Sequence, residues 1–164
     1  MAANQEESIK LKRLKVETPE HFNDLNDLIH DEWFDVDQIK FDQKNKKVIL
    51  PYRRKFHAGP AKTIRNMLIY TIKEKDVIRS ELRIHNVIDY KISDPEQLGR
   101  YTFNVAEYDS SDSKLVIYGV PNLKIHFIVS DLLIKSEDIK ISGKTKISYL
   151  FGIIEGDREN WNEP

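Results

Sequence analysis

The residues best suited to chemistry in this chain run together at His30-Asp31-Glu32-Trp33-Phe34-Asp35-Val36-Asp37. Just upstream, Asp24, Asp27 and Asp31 recur at helical spacing and fall on one stripe, and His30 stands one turn beyond Asp27. Asp35 and Asp37 share a face if the segment after the helix is extended. Clustered carboxylates with one imidazole could hold a hard or borderline divalent cation. Such a cation could lower the pKa of its water, which makes a metal-dependent hydrolase using His30, Asp31 and Asp35 one reading, with His85 or His126 as a further ligand. The spacing matches no established metal motif such as H-E-x-x-H, so the metal stays unknown. The plainer reading is a solvated acidic face. Asp24, Asp27, Asp31, Asp35 and Asp37 would then be binding residues that suit a basic protein partner.

A second constellation is the basic patch Arg53-Arg54-Lys55, with Tyr52 before it and Phe56 and His57 after it. Guanidinium groups grip phosphate bidentately and aromatic rings stack on bases. Against that, Lys+Arg 26 and Asp+Glu 27 leave a net charge of −1, and nucleic-acid binding normally demands a broad basic surface. The balance argues against a nucleic-acid partner.

Other fragments of motifs fail on their own requirements. Ser142-Gly143-Lys144-Thr145 looks like the tail of a phosphate-binding loop, but Asp138 stands where that loop needs glycine. Asp109-Ser110-Ser111-Asp112-Ser113 lacks the glycine and the closing glutamate of a calcium-binding EF-hand loop. No nucleophile elbow or dinucleotide fingerprint is present, so no cofactor is implied. The chain has no cysteine, which excludes thiol chemistry and thiolate metal sites.

The elements that must position these residues are legible from periodicity. Thr18-Pro19 is a helix start, with a hydroxyl to cap and a proline in the first turn, and Glu20 suits the helix dipole. Phe22, Leu25, Ile29 and Trp33 then lie on one face, which predicts an amphipathic helix over 19–31 with Trp33 as its last core anchor. Before it, Ile9, Leu11, Leu14 and Val16 alternate with lysine and arginine as a basic edge strand would. After it the period shortens towards two, predicting strands at 36–42, 46–52, 64–73, 77–92, 100–108, 114–119 and 123–129. The alternation slips at His85-Asn86-Val87, the signature of a bulge, and two further strands are expected near 132–134 and 146–151.

One turn pattern occurs twice. Phe41-Asp42 followed by a polar turn and Lys47-Val48-Ile49-Leu50 matches Tyr108-Asp109 followed by a polar turn and Lys114-Leu115-Val116-Ile117. Aspartate starts turns by bonding the backbone two residues on, so both segments read as hairpins. The fold class that follows is α+β: mainly antiparallel β, as a two-sheet sandwich or open barrel, with one principal N-terminal helix. At 164 residues a single domain is expected, with 1–8 and about 155–164 as flexible tails.

The helix followed by His30-Asp31-Glu32-Trp33-Phe34 and a hairpin, over residues 20–52, resembles small uncharacterised bacterial proteins, some immunity-type domains among them. The resemblance implies no activity and assigns no residue a role. The start Met1-Ala2-Ala3-Asn4-Gln5-Glu6-Glu7 lacks the pattern of a secretion signal, and no apolar run approaches the roughly 20 residues of a membrane span. These readings converge on a cytoplasmic, non-enzymatic binding domain whose acidic helix face meets a protein partner or a second copy of the chain.

Overall fold

A computed structural model describes residues 11–55, 62–67, 70–150 and 153–158. In chain order its strands are β1 (Arg13–Val16), β2 (Trp33–Asp35), β3 (Lys40–Asp42), β4 (Lys47–Lys55), β5 (Lys62–Met67) and β6 (Tyr70–Ile84). Strands β7 (Val87–Ser93), β8 (Arg100–Asp109), β9 (Lys114–Val120), β10 (Leu123–Val129), β11 (Ile134–Leu150) and β12 (Ile153–Arg158) follow. One α-helix, α1 (Phe22–Ile29), precedes β2. The fold is mostly antiparallel β-sheet with one short N-terminal helix, an α+β arrangement.

Contacts divide the chain into two compact units. The larger comprises Lys12–Arg54 and Arg79–Ile139; the smaller comprises Met1–Leu11, Lys55–Ile78 and Lys140–Pro164. In the smaller unit β5 pairs antiparallel with the start of β6, and β12 pairs antiparallel with the end of β11. Lys144 also bridges to Glu74 at 3.1 Å there.

In the larger unit the strands form one sheet in the order β1-β11-β6-β4-β2-β8-β9-β10-β7, with β3 on the side of β4. One face of this sheet is apolar because the side-chain period of a strand is two. Val48, Leu50 and Tyr52 of β4, Leu115 and Ile117 of β9, and Leu123, Ile125 and Phe127 of β10 are all buried, whereas the residues between them are not. Helix α1 covers this inner face: Phe22, Leu25 and Ile29 join the same core, with Phe22 stacked on Tyr108 at 6.2 Å between ring centroids. Asn26 ties the helix to β8, donating to the Ala106 carbonyl (3.1 Å) and accepting from the Ala106 amide (2.7 Å).

Several expected boundaries move. The helix opens with a 3₁₀ turn at Pro19–His21, and the Thr18 hydroxyl makes no cap hydrogen bond to it. It stops at Ile29, and Asp31 takes a left-handed backbone (φ 63°) that turns the chain into β2. The strand expected at 36–42 is broken by a 3₁₀ turn at Val36–Gln38. At 85–87 the chain turns a corner, leaving β6 well inside the sheet and re-entering at β7 on its edge, and the register of β7 against β10 shifts at once between Val87 and Asp89. The two strands expected near 132–134 and 146–151 are one long strand, β11. The tail expected from about 155 begins inside β12, and residues 1–8 lie outside the described residues.

The echoed turns hold in detail. Asp42 accepts the Asn45 amide at 3.1 Å, and Asp109 accepts the Ser111 amide at 2.9 Å. Lys46 (φ 48°) and Ser113 (φ 51°), at matching positions, both adopt the left-handed conformation that returns the chain to its partner strand. Asp42 pairs with Lys47, and Asp109 pairs with Lys114.

The helix supplies the first prediction. Leu25 is fully buried and Asp27 exposed. Leu25→Ala is expected to cost about 2–5 kcal/mol, through lost transfer energy and the cavity left behind. Asp27→Asn is expected to stay within about 0.5 kcal/mol of the parent. Urea unfolding followed by tryptophan fluorescence measures both.

Candidate functional site

The acidic residues do not converge. Asp24 and Asp27 are exposed on α1, opposite Phe22, Leu25 and Ile29. Asp31 is exposed just past the helix, 3.1 Å from His30 Nδ1. Asp35 is engaged elsewhere: both its oxygens accept from Arg100, at 2.7 and 3.0 Å. Asp37 lies in the 3₁₀ turn, so the shared face expected for Asp35 and Asp37 does not form. Among the described residues, no three histidine, aspartate or glutamate side chains group so that they could hold a metal ion.

Trp33 is buried, but not where the helical stripe put it. It belongs to β2, pairs with Arg53 on one side and Thr102 on the other, and points to the outer face, away from α1. Two cations lie against it. The guanidiniums of Arg53 and Arg100 lie over the indole at 5.8 and 5.1 Å from its centroid. Phe34, its neighbour, points inward and stacks on Phe103 at 4.3 Å.

The basic patch is split by the same alternation. Arg53 and Arg54 lie on opposite faces of β4, and Arg54 is buried. Its Nε donates to Asp138 Oδ1 at 2.8 Å and its Nη2 to Asp138 Oδ2. Ser80 and the Lys12 amide also donate to Asp138, each at 2.7 Å. Burial works against both charges, yet these hydrogen bonds hold the Asp138 carboxyl below the usual carboxylate range. Two residues earlier on β4, the Tyr52 and Ser136 hydroxyls meet at 2.7 Å, and burial pushes the Tyr52 phenol up to about 12. Arg53, Arg54 and Lys55 therefore present no common cationic surface. Phe56 and His57 lie outside the described residues.

What the sequence did not expose is the outer face of β8, β9, β10 and β7. Register aligns it into rows. Glu107, Val116, His126 and Lys91 form one; Val105, Tyr118, Lys124 and Ser93 form the next. A third runs Asp109, Lys114, Ile128 and Asp89. His126 thus has Lys91 directly across, Lys124 two residues back along its strand, and Lys114 on the diagonal. An open groove of about 330 Å³ runs here, lined by Asp89, Tyr90, Lys91, Lys114, His126 and Ile128.

The acids of this face accept hydrogen bonds from neutral groups. Asp109, lowered first by its hydrogen bonds from Ser111, also lies directly across from Lys114, whose charge lowers its pKa further. Glu107 hydrogen-bonds the Tyr118 hydroxyl, Asp89 accepts the Tyr90 amide at 2.9 Å, and Asp109 caps its turn. Lys91, Lys114 and Lys124 make no salt bridge among the described residues. Lys124 instead lies over the Tyr118 ring at 5.8 Å. His126 Nδ1 is buried without a hydrogen-bond partner. Burial, then the charges of Lys114, Lys124 and Lys91, hold its imidazole below the ordinary histidine value.

His85, at the β6–β7 corner, is held low in the same way by burial and by Lys135, Lys47 and Arg83, and its Nε2 is likewise unpartnered. Cations around both imidazoles oppose a bound metal cation and favour an anion. The alternation of Lys124 and His126 with Leu123, Ile125 and Phe127 was a visible signal for this face. Lys91 and Lys114 join it only through cross-strand register, which the sequence does not state.

Two predictions follow from these environments. Removing one partner of a buried ion pair strands the other charge, so Asp138→Asn is expected to cost about 3–5 kcal/mol. Replacing both partners, as Arg54→Met with Asp138→Leu, is expected to recover most of that loss, and chemical unfolding of both variants reads the difference. For the histidines the sign is fixed by linkage. A folded-state imidazole held below its ordinary value binds a proton more weakly than the unfolded chain does. Stability is therefore expected to fall as pH drops below about 6.5, and His126→Gln should flatten that dependence. Urea midpoints between neutral pH and the onset of carboxylate titration measure it.

No protein-family model matches the chain, and neither a curated protein nor a solved structure matches it.

Proposed function

We propose that this chain is a non-enzymatic, cytoplasmic binding domain whose recognition surface is the outer face of β8, β9, β10 and β7, and whose partner is an acidic protein. One observation carries the reading: this face gathers Lys91, Lys114 and Lys124 around His126, and none of the three makes a salt bridge among the described residues. Ile128, 38% exposed among these lysines, adds apolar area that a partner would cover. The acidic residues of α1 lie on the opposite side of the sheet and offer only separate, solvated carboxylates. Unpaired charges on a flat face steer and orient a partner of opposite sign more than they add raw affinity.

A protein partner suits this face better than a nucleic acid. Stacking of bases needs exposed aromatic rings, but Trp33 lies under Arg53 and Arg100, and Tyr118 lies beside Lys124. Fluorescence anisotropy with labelled poly-glutamate, poly-lysine and a single-stranded oligonucleotide tests the reading. Poly-glutamate is expected to bind, to weaken about tenfold or more in Lys91→Glu/Lys114→Glu, and to be indifferent to Asp24→Lys/Asp27→Lys. Preferential binding of poly-lysine, lost in Asp24→Lys/Asp27→Lys, would move recognition to the acidic helix. Tighter binding of the oligonucleotide would replace a protein partner by nucleic acid.

A further inference from the structure

The sheet of the larger unit ends at β7, which pairs with β10 on one side and with no strand on the other among the described residues. Which of its backbone groups face that open side follows from alternation, since the amides of an antiparallel strand point by turns to its two sides. The Val129 amide is spent on the Ser113 carbonyl, on the β9 side of β10. Ile128, His126 and Lys124 therefore turn to β7, where they lie across from Asp89, Lys91 and Ser93. Tyr90 and Ile92 are left with amide and carbonyl on the open side. The Tyr90 amide agrees with this, because it hydrogen-bonds the neighbouring Asp89 carboxylate at 2.9 Å instead of β10. The open stretch begins just past the corner, where the Val87 amide is bonded to the Lys46 carbonyl. Such an edge is a template for another strand.

The side chains along this stretch decide which strand fits. Asp89 and Lys91 are exposed, while Tyr90 and Ile92 are half-buried, with Tyr90 against Phe41 and Phe127. An antiparallel partner must place a cation across from Asp89 and a carboxylate across from Lys91. Read in the partner's own direction that is an acid, one residue, then a base, which is Asp89-Tyr90-Lys91 itself. We propose that β7 is a self-association edge, at which a second copy of the chain adds its own β7 antiparallel about a two-fold axis through Tyr90. Asp89 of each copy then faces Lys91 of the other, and the two Tyr90 residues exchange amide-to-carbonyl hydrogen bonds. The Asp89 carboxylate passes from the Tyr90 amide to that lysine. Moving the axis by one residue sets Lys91 against Lys91 or Asp89 against Asp89, and like charges directly opposed are unfavourable. Ile88, 59% exposed at the start of the stretch, supplies apolar area at the rim for the second copy to cover. The contact is isologous, so it closes as a dimer instead of growing into a fibre. It stands apart from the binding reading above, which does not require it.

Sedimentation equilibrium tests it on the parent protein, on Asp89→Lys, on Lys91→Glu and on a control, Asp27→Lys, which makes the same charge change on α1. The parent and the control are expected to dimerise with equal strength. Each edge variant is expected to weaken dimerisation about tenfold or more, because both ion pairs become like-charge pairs. Mixed in equal amounts, the two edge variants are expected to recover association, since the added lysine of one then meets the added glutamate of the other. Hydrogen exchange on the parent gives a readout that needs no variant. The Tyr90 amide is expected to gain protection as concentration rises, while the Lys91 amide, which faces β10, stays as it was. A parent protein that remains monomeric at every concentration it tolerates overturns the proposal. So does a dimer that both edge variants leave intact, or one that Asp27→Lys weakens equally. A dimer weakened by both edge variants but not recovered in their mixture overturns the pairing of Asp89 with Lys91.

Discussion

The arrangement of the larger unit depends on one buried carboxylate. Asp138 of β11 accepts hydrogen bonds from Arg54 on β4, Ser80 on β6 and the Lys12 amide just before β1. Strand β6 lies between β11 and β4, so Arg54 and Asp138 meet across an intervening strand. They can do so because the residue between them is a serine, fully buried, whose hydroxyl joins the pair instead of obstructing it. Tyr52 and Ser136 make a second bridge over the same strand. Lys12, Arg54, Ser80 and Asp138 each stand at or next to an end of the segments that make up the larger unit. The clamp therefore closes that unit's sheet where its chain segments begin and end.

Such a clamp contributes more to specificity than to stability. Removing two charges from water costs about as much as their attraction returns, so an apolar replacement of both would be comparably stable. What the pair enforces is register. Slipping β4 by one residue would move Arg54 to the outer face, leaving Asp138 buried without its counter-charge. Apolar strands of Val, Ile and Leu tolerate slippage far better. Register matters equally on the outer face: the rows that gather Lys91, Lys114, Lys124 and His126 exist only in this alignment of β7, β9 and β10.

The two sides of the larger unit then differ in electrostatic character. On the inner side, α1 buries its apolar stripe and turns Asp24 and Asp27 to solvent. On the outer side, Lys91, Lys114 and Lys124 gather around His126, with Glu107, Asp89 and Asp109 hydrogen-bonded to Tyr118, to the Tyr90 amide and to their own turn. A net charge of −1 conceals this separation entirely. Our functional reading rests on the separation rather than on the total.

Much of the local structure was legible because local rules decide it. The helix at Phe22–Ile29, the hairpin strands β8, β9 and β10 and the twin aspartate turns follow from periods of 3.6 and 2 and from aspartate's reach to nearby amides. Where extension from local pattern failed, a long-range contact intervened. Trp33 continues the helical stripe in sequence, but the left-handed Asp31 ends that geometry and β2 points the indole outward beneath two arginines. Arg53-Arg54-Lys55 reads as one patch, but strand alternation sends Arg54 inward to a carboxylate 84 residues away. Asp35 joined the acidic set on paper and belongs to Arg100 in space. The sequence alone determined the class of fold, the inward face of each amphipathic element and the chemistry of the turns. Strand order and register were left to the tertiary structure, because they are set by the burial and pairing of side chains distant in the chain. Which charges end up paired, buried or exposed together follows from those two things.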